Sequence, residues 1–358
     1  MPFRESVVAD PAPVSWALND DQRGIVAAAS EFARERLEPL LAGAPDPVRW
    51  SETVRLAATL DLATMILPQQ MGGMAISRHD LALVVEQFAA GPLERAAELT
   101  LSCAALMTLR ECDALDLLPD RDVQHYFDGT TSIAPGIPDV DTSGFWVLRQ
   151  KASSHAMMVR MDAERPQLML ATLPARRDTA VLVALSDALS IEHYTISQAG
   201  DTPLIVAPGH ATPGGNPVRQ WLTNAAIYFA ALLSGNVRQG MNFALSYSAT
   251  RQTFRRPIAA HQLVAARLAD MLISAHTIHL VLRSASARET QMQNGTVRLM
   301  ACHVATEAMD LARELVQVCG GHGYVQGLPP AARFQTVHWF AMLLMNVEAA
   351  LRAFTATA

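Results

Sequence analysis

Two stretches in the last third of the chain decide how it folds: Tyr247-Ser-Ala-Thr-Arg251-Gln-Thr-Phe254-Arg-Arg-Pro257-Ile258-Ala-Ala-His-Gln262 and Gln317-Val-Cys-Gly320-Gly321-His-Gly323-Tyr324. Each lies on, or at the end of, a run whose apolar residues recur at helical spacing. Each joins a planar cation or amide to an aromatic ring or to glycine. A guanidinium holds phosphate oxygens in pairs. Glycines let a backbone approach a ligand where a Cβ would collide. Together these groups suit a ligand with a pyrophosphate and flat rings.

Composition sets the frame around them. The chain has 358 residues, half of them apolar and only 6% aromatic, enough for two or three packed units that favour helix over sheet. A net charge of −6 argues against a nucleic-acid binder. Lys151 is the only lysine, a bias of genome composition without functional weight. Cys103, Cys112, Cys302 and Cys319 show no metal spacing and no disulfide framework, and no metal site is expected. Cys103 and Cys302 fall in apolar helical runs and are expected to be buried. Residues 1–10 lack the apolar core of a signal peptide, and no uninterrupted apolar stretch reaches membrane-spanning length. The expectation is a cytoplasmic protein.

Along the chain, Asn19-Asp-Asp-Gln22 is a capping box opening a helix over 23–41, and Ser77-Arg-His-Asp80 a second one, opening a helix to about Ala90. Another helix starts near Ser51, a Pro-Gly turn spans 67–73, and residues 94–127 carry a helical pattern. From Gly129 the character changes, with β-like runs at 145–148, 156–159, 167–172, 180–183 and 204–206. A Gly/Pro-rich linker over 209–217 precedes four long helices at about 219–250, 257–290, 296–319 and 331–354. Pro257 suits the first turn of its helix and Gly320 a helix stop. The expected architecture is mainly α with a small β domain: helical 1–128, β 129–217 and a C-terminal four-helix bundle 218–358.

With these two motifs in this domain order, the chain resembles the acyl-CoA dehydrogenase family. The likeness is densest over residues 247–271, and Gln69 and Gln70 depart from the acidic pair common after the second helical hairpin. The resemblance implies oxidation of the Cα–Cβ bond of an acyl-CoA thioester, with a glutamate taking the α proton and FAD the β hydride. It also implies FAD lying across a subunit interface. Arg251 and Phe254 match positions used on the neighbour's FAD pyrophosphate and adenine side. Gln262 matches a flavin-contacting amide. Gln317, Gly320 and Gly321 match the second adenosine-side contact.

The same resemblance exposes gaps. Anchored on Arg333, Met345 stands at the catalytic glutamate, Asn346-Val347 on the following Gly-Thr, and Thr336-Val337 where Arg-Asp is usual. A thioether cannot abstract a proton. An alternative base position on the first bundle helix falls at 223–228, again without a carboxylate, and Glu348 is a weak candidate for a displaced base. The flavin-ring segment falls near 133–143, where only Pro135 and scattered Asp and Ser remain, and no aromatic residue stands at 150–155. His155 reads as a surface or turn histidine. Groups lent to a neighbour's FAD persist, whereas groups of the chain's own site are gone. The favoured expectation is a non-catalytic subunit paired with a homologous catalytic one, in a hetero-oligomer of the kind that includes enzymes acting on steroid side-chain thioesters. The alternatives are a self-sufficient homo-oligomeric dehydrogenase with its base at Glu348, and a flavin-free scaffold of the same fold. An all-round apolar run at 339–345 suggests that the bundle needs a partner.

Overall fold

Both capping boxes form. Asn19 Oδ1 accepts from Gln22 N (2.8 Å) while Gln22 Oε1 accepts from Asn19 N (3.1 Å), and Ser77 and Asp80 exchange the equivalent bonds. They open helices α1 (Asp20–Phe32) and α4 (Arg78–Phe88), with α2 (Pro47–Ala58) and α3 (Leu62–Ile66) between. The computed structural model describes residues 17–43, 45–142, 144–161, 166–174, 180–195, 204–206, 216–287, 294–325 and 328–357. Residues 1–10 and most of the 209–217 linker lie outside that set. The α-helix expected over 23–41 stops at Phe32 and continues as a π-type turn (Ala33–Leu37) and a 3-10 turn (Glu38–Ala42). Pro39 has no N–H for an α-helical bond. The run expected over 94–127 is broken into α5 (Leu93–Thr100), α6 (Cys103–Glu111) and short 3-10 turns. At the break, Ser102 Oγ accepts from Ile133 N (3.0 Å), tying the helices to the sheet.

The sheet has seven strands: β1 (Ser132–Pro138), β2 (Gly144–Gln150), β3 (Ser153–Arg160), β4 (Gln167–Thr172), β5 (Ala180–Ala184), β6 (Leu189–Thr195) and β7 (Leu204–Ile205). Their order is β5-β6-β2-β1-β3-β4-β7, with β1 antiparallel to β2 and parallel to β3. Two strands were not expected. β1 is buried at every position, so it lacks alternation, and Pro135 and Gly136 obscure it. A Cβ at Gly136 would lie 2.6 Å from Met158 Cγ, so only glycine fits that crossing. β6 carries a buried glutamate: Glu192 accepts from Ser190 Oγ (2.9 Å) and Arg149 (3.3 Å). Its strand character is set by that network and not by an apolar pattern. His155 sits half-buried within β3, not in a turn, and burial lowers its pKa.

The bundle consists of α7 (Pro217–Thr250), α8 (Gln262–Ser286), α9 (Asn294–Cys319) and α10 (Pro329–Thr357). α9 packs on the other three, and α7 also packs on α4 and α6. Gly235 allows the α7–α4 crossing, since a Cβ there would meet Glu86 O at 2.0 Å. A polar strut locks the same place. Glu86 accepts from Ser234 Oγ (2.5 Å) and pairs with His279 Nδ1 (2.8 Å), while Arg238 donates to Gln87 (2.9 Å).

Three expectations about the bundle are corrected. Pro257 does not open a helix: it lies in a short ribbon, and α8 begins at Gln262. The run 339–345 is largely internal, with Phe340, Leu343 and Leu344 wholly buried and Trp339, Met342 and Met345 partly so. The unpartnered face belongs to α8 instead, where Leu263 is 82% and Ile273 65% exposed. By length and composition this helix is long and apolar enough to cross a membrane, although Arg267, Asp270 and Arg283 interrupt its apolar run. It packs on α7 and α9 and carries Arg267, Asp270, His276, His279 and Arg283. Finally, Cys103 is buried as expected but Cys302 is exposed, on the outer side of α9.

Candidate functional site

α7 ends at Thr250, and the chain doubles back in a ribbon of β8 (Gln252–Thr253) and β9 (Arg256–Pro257). Ile258 N donates to Arg251 O (2.8 Å), closing its base. His261 braces it from behind, with Nε2 3.2 Å from Thr253 Oγ1 and Nδ1 3.2 Å from Arg256. At the tip, Phe254 and Arg255 adopt φ of +51° and +66°, in the left-handed region that costs a non-glycine residue about 1–2 kcal/mol. The Phe254 ring is 91% exposed, touching only the edge of His261. Arg251, Arg255 and Gln262 are exposed too.

The second motif ends α9. Gly320 has φ +56° and turns the chain out of the helix. Gly323 is needed for packing, because a Cβ there would meet Val316 O at 2.3 Å. Gly321 has neither reason: its φ is not in the left-handed region, and nothing lies within 4 Å of the place a Cβ would take. Open space in front of a glycine is what a ligand pressing on the backbone requires. Tyr247, one turn before Arg251, joins the motifs: its hydroxyl donates to Cys319 O (3.3 Å) and lies 2.9 Å from His322 Nδ1. Gln317 Nε2 donates to the Tyr324 hydroxyl (3.1 Å). The structure therefore links the 251–262 and 317–324 motifs through Tyr247. That tyrosine was quoted in the sequence without a role, and no local pattern betrays a contact 75 residues away.

The other set of positions is closed. Met345 lies within the uninterrupted helix α10, half-buried against the core. Glu348 is buried and bonded to Arg298 Nε (2.9 Å), an ion pair and not a free base. Residues 223–228 are buried throughout, and the Tyr228 hydroxyl lies 3.3 Å from Thr100 Oγ1. The space lined by Asn224, Ile227 and Tyr228 measures about 10 Å³, room for one water. In the segment expected at the flavin ring, 133–138 is the closed strand β1, Asp139 is engaged by Thr142 (2.8 Å) and His193 (3.1 Å), and Ser143 lies outside the described residues. A cavity of about 480 Å³ does open between residues 40–47, the start of α5 and the start of α10, and none of the candidate residues lines it.

Two family matches decide the kinship. The acyl-CoA dehydrogenase N-terminal domain matches residues 19–111, and the acyl-CoA dehydrogenase C-terminal domain matches 214–349. The chain belongs to the acyl-CoA dehydrogenase family. A mitochondrial isobutyryl-CoA dehydrogenase of Dictyostelium discoideum is 20% identical over 372 aligned residues, covering 88% of this chain and 83% of that protein. A glutaryl-CoA dehydrogenase from Mycobacterium smegmatis, solved in complex with FADH2, superposes with TM-score 0.69 at 15% identity, over 94% of each chain. A variant described as the Tcur3481-Tcur3483 steroid ACAD gives TM-score 0.70 at 16% identity, over 94% of this chain and 97% of that one. At such identities the structural likenesses establish the acyl-CoA dehydrogenase fold. The stretch between the two matched domains, which holds β1–β7, is where the sequence resemblance was poorest.

Proposed function

We propose that this member of the acyl-CoA dehydrogenase family is a subunit without a catalytic glutamate of its own, which lends the adenosine-diphosphate side of an FAD site to a homologous catalytic subunit. One observation carries the proposal. Residues matching the lent contacts stand exposed at the end of the bundle, while every position matching a base is apolar, packed or ion-paired. The lent half fits the cofactor. Arg251 offers a guanidinium, Phe254 an open ring, and Gly321 a bare backbone. The flavin-ring half fits poorly, because 133–138 is sealed in the sheet and the exposed residues 140–142 include no aromatic ring. When bound, FAD supplies the hydride acceptor for Cα–Cβ oxidation. On this chain, Arg251, Phe254, Gln262 and the 317–321 turn would hold its phosphates and adenosine.

The proton-abstracting carboxylate then belongs to the partner, as does the pocket for the acyl-CoA substrate. The family is named for acyl-CoA substrates, and one solved neighbour is described by two joined designations and a steroid. A CoA thioester is therefore the proposed substrate class, with a steroid acyl group as the first to try. The direct test is an acyl-CoA oxidation assay with an artificial electron acceptor. The chain alone should show no turnover, and activity should appear when a glutamate-bearing homologue is added. Full turnover by the purified single chain would falsify the half-site role.

A further inference from the structure

The ribbon at 251–257 pairs Gln252 with Pro257 and Thr253 with Arg256, leaving Phe254 and Arg255 as a two-residue loop. Positive φ at both loop positions marks a type I′ turn, the geometry that selects Asn-Gly. This chain places two bulky L-residues there instead. The frame beneath them is well made. Ile258 N to Arg251 O closes it, His261 clamps both strands, and Pro257 keeps Arg256 extended. Only the apex of the ribbon is strained, and Arg255 there has no side-chain hydrogen bond or ion pair among the described residues. Among the described residues, no carboxylate lies within ion-pair distance of Arg251, Arg255 or Arg256. Strain that persists at an exposed tip, with nothing among the described residues to offset it, points to something outside the chain that does.

Charge narrows what that is. Three exposed arginines, Arg251, Arg255 and Arg256, stand together in the ribbon and make it cationic, whereas Arg267 at the start of α8 is paired with Glu314. An aromatic ring and a guanidinium on adjacent tip residues match a flat heterocycle attached to phosphate. We infer that the Phe254–Arg255 tip is a ligand-gripping element, and that Arg255 is a second guanidinium, beside Arg251, for the pyrophosphate of the dinucleotide shared with the neighbouring subunit. This rests on the proposed FAD-lending role and adds to it a residue for which the sequence gave no part.

The test uses the assembly that this chain forms when purified with its partner, in wild-type form and as Arg251→Ala, Arg255→Gly and Arg255→Lys. FAD affinity is measured by flavin release over a range of salt concentrations, alongside subunit association and Tm. Arg255→Gly should weaken FAD binding about tenfold or more and flatten its salt dependence, as expected on losing one charge-assisted contact. Because glycine suits the turn, the Tm of the variant chain should rise. Arg255→Lys should recover part of the affinity but not the paired geometry. The inference is overturned if Arg255→Gly keeps wild-type FAD affinity while Arg251→Ala loses it. It is equally overturned if Arg255→Gly loosens subunit association with FAD affinity unchanged, since the guanidinium would then read a carboxylate on the partner. If Arg251→Ala also leaves FAD affinity unchanged, the lending role itself fails.

Discussion

Phe254, Arg255 and Gly321 behave alike: each has a conformation, an exposure or an emptiness that the chain's own packing does not explain. Glu348 is the contrary case, a residue whose structural partner explains it fully. Arg298 Nε donates to it at 2.9 Å, and its side chain is largely withdrawn from water. Glu348→Gln should therefore cost about 1–2 kcal/mol of stability, as for other bonds to a charged group. It should leave turnover of the assembled enzyme unchanged, which denaturation midpoints and an activity assay on the same preparation check. Loss of turnover without loss of stability would reinstate Glu348 as a base. Arg251, Phe254 and Gly321 could be singled out in the sequence because their chemistry is written in the side chain, or in its absence, and because they match family positions. The structure adds their exposure and the open space at Gly321. The strain at Arg255 was not legible, since a letter carries no φ. The ion pair of Glu348 depends on a helix crossing 50 positions away.

At the scale of elements, the long helices were legible because apolar spacing and caps agree with their tertiary role. What failed followed physical rules of its own. Pro39 and the Ser102–Ile133 bond ended α-helical stretches that periodicity alone would extend. β1 was hidden because a strand covered on both faces shows no alternation. The apolar run in α10 suggested an outward face and proved internal, whereas α8 leaves Leu263, Ile273 and Leu280 in solvent. Burial of one such side chain contributes about 1.5–3 kcal/mol, so a face with several is well suited to a second subunit. Ile273→Glu is expected to split the assembly, lowering its mass in light scattering, while the separated chain keeps its thermal stability. A fall in chain stability with the assembly intact would mean that α8 faces solvent in the working protein.

In the whole molecule, the N-terminal helices, the sheet and the bundle meet along α7, and the Glu86 strut pins α4 to α7 and α8. Burial alone would push the Glu86 carboxyl up, but the bond with His279, the nearby Arg238 and the Ser234 hydroxyl outweigh it and hold the group below its ordinary 4.5. A carboxyl lowered by folding stabilises above that ordinary value, and its contribution is lost as pH falls through the lower folded value. The stability gap between wild type and Glu86→Gln should be about 3 kcal/mol near neutrality and close progressively below pH 4.5. A gap constant down to pH 3 would show that the strut stabilises by shape and not by charge.

On the same scale lies the asymmetry on which the proposal rests: an acyl-CoA dehydrogenase fold in which the residues matching a lent cofactor edge are exposed and the positions matching a base are packed or ion-paired. The measurement closest to that claim is the absorbance spectrum of the chain purified alone and again with its homologous partner. A flavin band only in the joint preparation, at about one FAD per pair of unlike chains, is the predicted result. A full flavin complement on the chain alone would contradict it.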